Sequence, residues 1–230
     1  MKCFQRFLGI TASICLIFVL LITAFEIGAY SDFGWYEKEY KKYNVLEDLE
    51  MEMEDVMDVT EEMMSYLRGN RKDLNVDTTV DGEEREFFND REKAHMVDVK
   101  NLFVGGMWLR GISFGLFLLS LLGIWLTKAD WKKLLPKSFL IGLGAFLGLT
   151  AIAGGVFMSD FNKYFTLFHK MFFSNDLWLL DPDTDLMIRM LPEGFFMDMV
   201  ARIGIIFLAM LLVGVAASIF VLYKNRDKKN

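Results

Sequence analysis

Apolar residues run along this chain in long uninterrupted blocks rather than alternating with polar ones. Four stretches carry no charge: Phe7–Phe25, Gly111–Thr127, Ser138–Ser159 and Ile203–Tyr223. Each is close to the ~20 residues that a helix needs to cross a bilayer core. A spanning segment must satisfy its own backbone hydrogen bonds, so each block is predicted to be helix. The first block is longer than a secretory signal core of ~7–15 residues, and no small-x-small cleavage site follows it. It reads as a retained anchor. Cys15 follows Ala12-Ser13-Ile14, a poor match to a lipoprotein signal.

The segments between the blocks have different patterns. Tyr30 to Tyr43 is rich in Trp and Tyr, residues that favour the headgroup layer. Leu46, Leu49, Met53, Val56, Met63 and Leu67 then recur at intervals of three and four, with Thr60 filling the gap. That is one apolar face of an acidic helix, expected to pack on the membrane domain. Gly69-Asn70 ends it. Residues 74–88 read as a hairpin turning at Asp81-Gly82, with Glu86-Phe87-Phe88 on the return. Asn89 or Asp90 caps a new helix carrying Glu92, His95, Asp98 and Phe103, and Gly105-Gly106 marks a bend before the second span. Beyond the third span an aromatic helix holds Tyr164, Phe165, Phe168, His169, Phe172 and Phe173, closed by Asn175-Asp176. Asp181-Pro182 reads as cap and first position of a short helix over 183–191, and Pro192 stops it.

Charge supplies the orientation. The short inner segments hold Lys2, Arg6, Lys128, Lys132, Lys133, Lys137, Lys224, Arg226, Lys228 and Lys229, against only Asp130 and Asp227. Residues 31–105 carry 21 acidic and 10 basic side chains, and residues 159–199 carry seven and three. Short cytoplasmic loops collect Lys and Arg, so both termini and the 128–137 loop are expected inside. The net charge of −6 hides this split, and an acidic exterior gives no support to nucleic-acid binding. The expected architecture is an all-α membrane protein. Spans at 1–29, 106–127, 138–159 and 200–223 alternate with an outer subdomain at 30–105, an inner loop at 128–137, an outer segment at 160–199 and an inner tail at 224–230. The subdomain at 30–105 is mostly helical, with one β-hairpin.

The chain has two histidines, His95 and His169, both placed outside and near the membrane surface. Imidazole accepts and donates a proton near neutral pH. Glu92 and Asp98 flank His95 on its helix face, and Asp176 and Asp181 follow His169. Such a pair serves either packing or catalysis. Glu26, Arg110 and Arg202 fall near the outer ends of their helices, where an arginine either binds lipid phosphate or holds a substrate. His95 and Asp98 form an HxxD pair, a weak metal signal. Cys3 and Cys15 suggest neither a disulfide nor a metal framework. GxSxG, HExxH, P-loop and CxxC motifs are absent. Glu61-Glu62 resembles the start of a membrane-protease pair, but position 66 is Tyr. A metal-dependent membrane hydrolase and a non-enzymatic receptor or transporter subunit stay open at this point. The transporter reading lacks ionisable groups at mid-bilayer depth.

The string FHKMFFSNDLWLLDPDTDLMIRMLPEGFFMD (Phe168–Asp198), preceded by HMVDVKNLF (His95–Phe103), resembles the Lit family, the lipoprotein intramolecular transacylases of Gram-positive bacteria. The four-span layout with a large first outer segment is similar as well, whereas residues 46–67 and 74–88 match nothing residue by residue. The resemblance implies a substrate: a lipoprotein whose N-terminal Cys carries a thioether-linked diacylglyceryl group. It implies transfer of the sn-2 acyl chain to the α-amino group of that same Cys, giving a lyso-form lipoprotein at the membrane. It places the two functional histidines at His95 and His169 and calls for no cofactor. On this reading Asp98, Asp176 or Asp181 orients a ring, and Arg110 or Arg202 stabilises the tetrahedral oxyanion.

Overall fold

Residues 1–157 and 161–227 are described in a computed structural model. The expected end of the third span, at 158–160, and the end of the tail, at 228–230, lie outside the described residues. Nine helices and one hairpin follow one another among them: α1 (Lys2–Tyr30), α2 (Gly34–Lys42), α3 (Val45–Leu49), α4 (Met53–Leu67), β1 (Asp77–Val80), β2 (Glu83–Glu86), α5 (Asp90–Leu126), α6 (Trp131–Phe157), α7 (Phe161–Phe172), α8 (Leu186–Met190) and α9 (Glu193–Asp227). Four of the helices, α1, α5, α6 and α9, are long and apolar enough to cross a membrane. The contacts divide the chain into two units: Met1–Phe25, Met107–Tyr164 and Gly204–Asn230 form the first, and Glu26–Gly106 with Phe165–Ile203 form the second.

The first unit is the membrane bundle. Trp108, Trp125, Leu149, Ile205, Val213 and Phe220 are widely exposed, as lipid-facing side chains must be in the absence of lipid. Helices in hydrocarbon gain from close backbone approach at small residues. A methyl group at Gly9 would overlap Ser138, and one at Gly142 would overlap Ser13, so α1 and α6 meet along a Gly/Ser seam. The loop between α5 and α6, expected on the inner side, is shorter than predicted. Helix α6 begins at Trp131 and takes Pro136 inside it, leaving three or four residues where ten were expected. Pro136 lies beyond the first turn and so removes a ladder bond, and the Lys132 carbonyl it leaves free accepts instead from Asn225 Nδ2 at 3.3 Å.

The second unit has its own hydrophobic core, and three expectations change there. The Tyr30–Tyr43 stretch does not spread its aromatics over a surface. It forms α2, whose Tyr36 and Tyr40 are 2% and 0% exposed. Tyr36 donates to the Ala29 carbonyl at 2.9 Å, and Tyr40 pairs with Thr60 at 2.7 Å, so both phenols are buried with partners. Thr60 was the gap in the apolar stripe, and its hydroxyl is the reason a tyrosine fits there. The stripe is also two helices, α3 and α4, separated where Glu50 turns left-handed at φ 55°. Val56, Met63 and Leu67 pack into this unit's own core, with Tyr36, Phe87 and Phe88. Lastly, Gly105-Gly106 does not interrupt the helix, and α5 runs unbroken from Asp90 to Leu126. A helical glycine costs only about 1 kcal/mol relative to alanine, less than leaving backbone groups unpaired beside a bilayer.

The hairpin is present. Asp77 pairs with Glu86 and Val80 with Glu83, and both turn residues have positive φ (Asp81 51°, Gly82 73°), as a two-residue type I′ turn demands. The return strand is Glu83–Glu86, one register earlier than the Phe pair. Phe87 and Phe88 follow the strand and are each 1% exposed. The start of α9 is held by Tyr43, which donates to Asp198 at 2.6 Å, and by an ion pair from Lys42 to the same carboxylate. Gly194 lies flat against the Tyr43 ring, where any side chain would collide.

Candidate active site

Helix α5 opens with a capping box. Asn89 Oδ1 accepts the Glu92 N–H at 2.9 Å, and Glu92 accepts the Asn89 N–H at 2.8 Å. Glu92 is fully buried and does more than cap, because its second oxygen accepts the Met187 N–H at 2.6 Å. Asn89 also donates to Asp185 at 2.7 Å, and Asp185 accepts the Asp181 N–H at 2.7 Å. Burial works against the charge of Asp185, but the Asp181 amide and the Asn89 and Thr184 side chains bring its carboxyl below the usual range. The first turn of α5 is thereby tied to the turn before α8. Asp185, not Asp181, precedes that helix, which is only Leu186–Met190. Pro182 sits in a turn closed by Thr184 and Asp185 N–H bonds to the Asp181 carbonyl.

One turn into α5 stands His95, and on α7 stands His169. Both are buried, 6% and 7% exposed, and their ring centroids lie 6.0 Å apart. Aromatic side chains surround them. Phe173 meets both rings, edge-on to His95 at 5.4 Å and tilted at 5.5 Å from His169. Phe165 lies 4.0 Å and Trp178 4.9 Å from His169, with Phe168 edge-on at 5.4 Å.

His169 Nδ1 lies 2.7 Å from the Phe165 carbonyl one turn earlier. A carbonyl only accepts, so Nδ1 carries the hydrogen and Nε2 presents its lone pair. Burial pushes the His169 ring below the ordinary histidine value, and that carbonyl pulls it partly back. His95 lies before the apolar part of α5. Burial pushes it down to about 4, the neighbouring His169 adds to this, and Asp98 opposes it. Both rings are therefore neutral at neutral pH. His95 Nδ1 is buried without a hydrogen-bond partner among the described residues. Such an orphan costs ~1–3 kcal/mol and is unusual outside functional sites.

The carboxylates expected to orient the rings do not touch them. The one ring-orienting group is a main-chain carbonyl, reached because a histidine on a helix can fold back on the preceding turn as serine does. Asp98 accepts instead from Asn175 Nδ2 at 2.8 Å. The Asp176 side chain is exposed and its main-chain oxygen accepts from Arg91 at 2.6 Å. Asp181 turns its carboxylate onto the Asp183 N–H at 3.1 Å. The Arg202 guanidinium lies over Trp35 at 4.9 Å and 3.7 Å from Asp32. Arg110 belongs to the membrane unit. Trp178 and Asp185 were not expected at the site, and Asn175 was expected only to close the aromatic helix. The Asx turn at Asn175, whose Oδ1 accepts the Leu177 N–H at 3.1 Å, was the one local sign of Trp178 and Asn175. Among the described residues no three His, Cys, Asp or Glu side chains gather as a metal-binding group, and the HxxD pair acquires no third member.

The profile of the family described as "Lipoprotein intramolecular transacylase Lit" matches residues 10–196. No curated protein sequence matches the chain. The chain is similar in structure to the membrane-integral lipoprotein intramolecular transacylase of Bacillus cereus. They are 22% identical over 98% of this chain and 99% of that one, with a TM-score of 0.80. Two variants of the Bacillus cereus protein, each with one histidine replaced, match as well. The alanine variant is 21% identical over 98% of this chain and 96% of that one, with a TM-score of 0.78. The arginine variant is 22% identical over 99% and 96%, with a TM-score of 0.76. At such identities the likeness establishes the fold, that of an integral membrane protein.

Proposed function

The chain belongs to the lipoprotein intramolecular transacylase family, and on that premise we propose that His169 and His95 run its reaction at the outer face of the membrane. The substrate is a lipoprotein with diacylglyceryl-Cys at its N-terminus. The α-amino nitrogen attacks the carbonyl carbon of the sn-2 ester, the C–N bond forms, and the bond to the glyceryl oxygen breaks. One proton leaves the nitrogen and one ends on that oxygen, so atoms and charge balance without ATP or a second acyl donor. Nucleophile and ester belong to one molecule, so proximity is largely built in.

The observation that carries this reading is the neutral pair of buried imidazoles in an aromatic box. A general base must be unprotonated before it acts, and His169 Nε2 has its lone pair free for the amine proton because Nδ1–H is committed to Phe165. His95 Nδ1, buried and unpartnered, is the atom to which a substrate group brings the missing hydrogen bond. Phe168 and Phe172, both exposed on α7, offer apolar surface for acyl chains. The orientation rests on the inner-loop cations, which put both termini in the cytoplasm.

The test is conversion of a purified diacylglyceryl lipopeptide with isotope-labelled acyl chains, in detergent with unlabelled phospholipid and EDTA. Tandem mass spectra should find the label moved to the amine. Unlabelled acyl chain on the amine would mean a phospholipid donor. Loss of activity in EDTA, restored by zinc, would favour a metal-dependent enzyme.

A further inference from the structure

Beside the histidine pair lies a cleft that the chemistry above leaves unused. It holds about 190 Å³ and is lined by Asp98, Asn101, Leu102, Phe172, Phe173 and Asn175, with Ser174 at its edge. Ligand pockets for drug-sized molecules run to ~300–1,000 Å³, so this one suits a small headgroup rather than a lipid chain. Phe173 forms a wall of both the cleft and the box around the histidines. Asp98 follows His95 by three residues on α5, which puts the two on one face, within reach of a single small group.

The carboxylate is held in place rather than left loose. Asn175 donates to Asp98 Oδ2 at 2.8 Å. Asn175 is itself fixed twice, by the Leu177 N–H on its side-chain oxygen and by the Trp178 indole N–H on its carbonyl at 2.9 Å. Trp178 is the residue stacked on His169. Asp98 Oδ1 has no hydrogen-bond partner among the described residues, and no cation pairs with the carboxylate. A small cleft with one oriented, unneutralised carboxylate, next to two neutral proton acceptors, is complementary to a primary ammonium group.

We propose that Asp98, oriented by Asn175, binds the α-ammonium group of the lipoprotein's N-terminal Cys and so distinguishes substrate from product. This rests on the transacylase reading and adds a specificity-determining residue to it. An α-amine with a reference pKa of roughly 8 is mostly protonated at neutral pH, so the arriving substrate carries the charge that Asp98 recognises. Transfer turns that amine into an amide, which cannot hold a proton. The attraction is lost in the step that makes product, and the lyso lipoprotein leaves without being rebound. Asp98 takes no proton in this scheme. It places the nitrogen. The bound ammonium first gives one proton to solvent by way of an imidazole, and the neutral amine then loses a second to that ring as attack begins, the proton that ends on the glyceryl oxygen.

The test uses two unreactive probes, lipopeptides whose glyceryl esters are replaced by ethers, one with a free α-amine and one N-acetylated. Binding is measured on the full-length protein in detergent. Wild type should bind the free amine about tenfold more tightly, the scale of one charge-assisted hydrogen bond at a half-exposed site. Asp98→Asn should bring the ratio to about one by weakening the free-amine probe alone, and should raise KM for the ester substrate while kcat changes little. Asp98→Glu, which keeps the charge, should retain a preference. Equal binding of the two probes by wild type overturns the proposal without any variant needing to fold, as does an unchanged ratio in Asp98→Asn. Because the ethers cannot react, the ratio is independent of turnover. A preserved ratio with no ester conversion sinks the transacylase reading and leaves the ammonium site standing.

Discussion

Replacing Glu92 by alanine should release the turn before α8 from the start of α5, at a cost that the structure allows to be worked out. The carboxylate is fully buried and accepts two backbone N–H groups, from Met187 at 2.6 Å and from Asn89 at 2.8 Å. A hydrogen bond to a charged acceptor contributes ~1.5–3 kcal/mol, which sets an upper range of about 3–6 kcal/mol for the two. Part of that is returned. Burial pushes the Glu92 carboxyl above its ordinary value, with the two amides pulling the other way, so removing it also removes a desolvation penalty. A net loss of about 2–4 kcal/mol follows, which is about thirty- to a thousandfold in a local opening equilibrium. The readout is hydrogen exchange at the Met187 amide in detergent-solubilised protein, resolved by peptide mass spectrometry. Glu92→Gln keeps one acceptor and should fall between. Unchanged protection of Met187 in Glu92→Ala would mean that the carboxylate does not hold that amide. Transacylation should fall with the exchange, because Glu92 stands one turn before His95.

Three further outcomes are expected. His169→Ala should abolish lyso-lipoprotein formation with protein level and membrane insertion intact, and His95→Ala should lower the rate about a hundredfold or more, both read from lipopeptide mass spectra. With His95 held down to about 4 and His169 also below its usual value, both rings are already unprotonated at pH 7. Initial rates should therefore climb from pH 6 towards pH 8 as the substrate amine loses its proton, and an acid limb near pH 6.5 that disappears in His95→Gln would contradict this. In a background lacking Cys3 and Cys15, Asn70→Cys should react with an impermeant thiol reagent in whole cells. Lys133→Cys should react only after lysis, and its labelling in intact cells would reverse the orientation.

The spans were legible because a bilayer leaves the chain few choices: an uncharged run of about twenty residues is driven to helix, and the described residues of all four runs lie in long helices. The hairpin was legible for an equally local reason, since Asp81-Gly82 can adopt two positive φ values in succession. What escaped was the packing within the second unit. Nothing local says that Tyr36 and Tyr40 meet Ala29 and Thr60 rather than lipid headgroups, because an amphipathic ring suits both settings. The break at Glu50 was hidden by a stripe that keeps its three-and-four spacing across it. The histidines were visible as the chain's only two. Their surroundings were less visible: His169 is oriented by a carbonyl one helical turn back, and Asp98 is held by Asn175, 77 residues away, and neither contact follows from carboxylates close by in sequence.

The same box that makes the histidines neutral limits how they act. A base whose conjugate acid has a pKa of about 4 is poorly matched to pH 7, where a value near the ambient pH would accept a proton more readily. The lower of the two rings, His95, is therefore the weaker acceptor and, if protonated, the stronger acid. His169 is less perturbed in kind, since the Phe165 carbonyl stabilises its charged form, and it is the better acceptor. A charge on either ring opposes one on the other at 6.0 Å, in surroundings with little water to screen it. The pair thus carries at most one proton during turnover. On the mechanism proposed above, the amine would surrender its proton to His169 as the tetrahedral centre forms, and the departing glyceryl oxygen, far more basic than either imidazole, would take it. A reaction that begins and ends with the same proton count on the enzyme needs no ionised resting state, and two buried imidazoles among aromatic rings are compatible with that requirement.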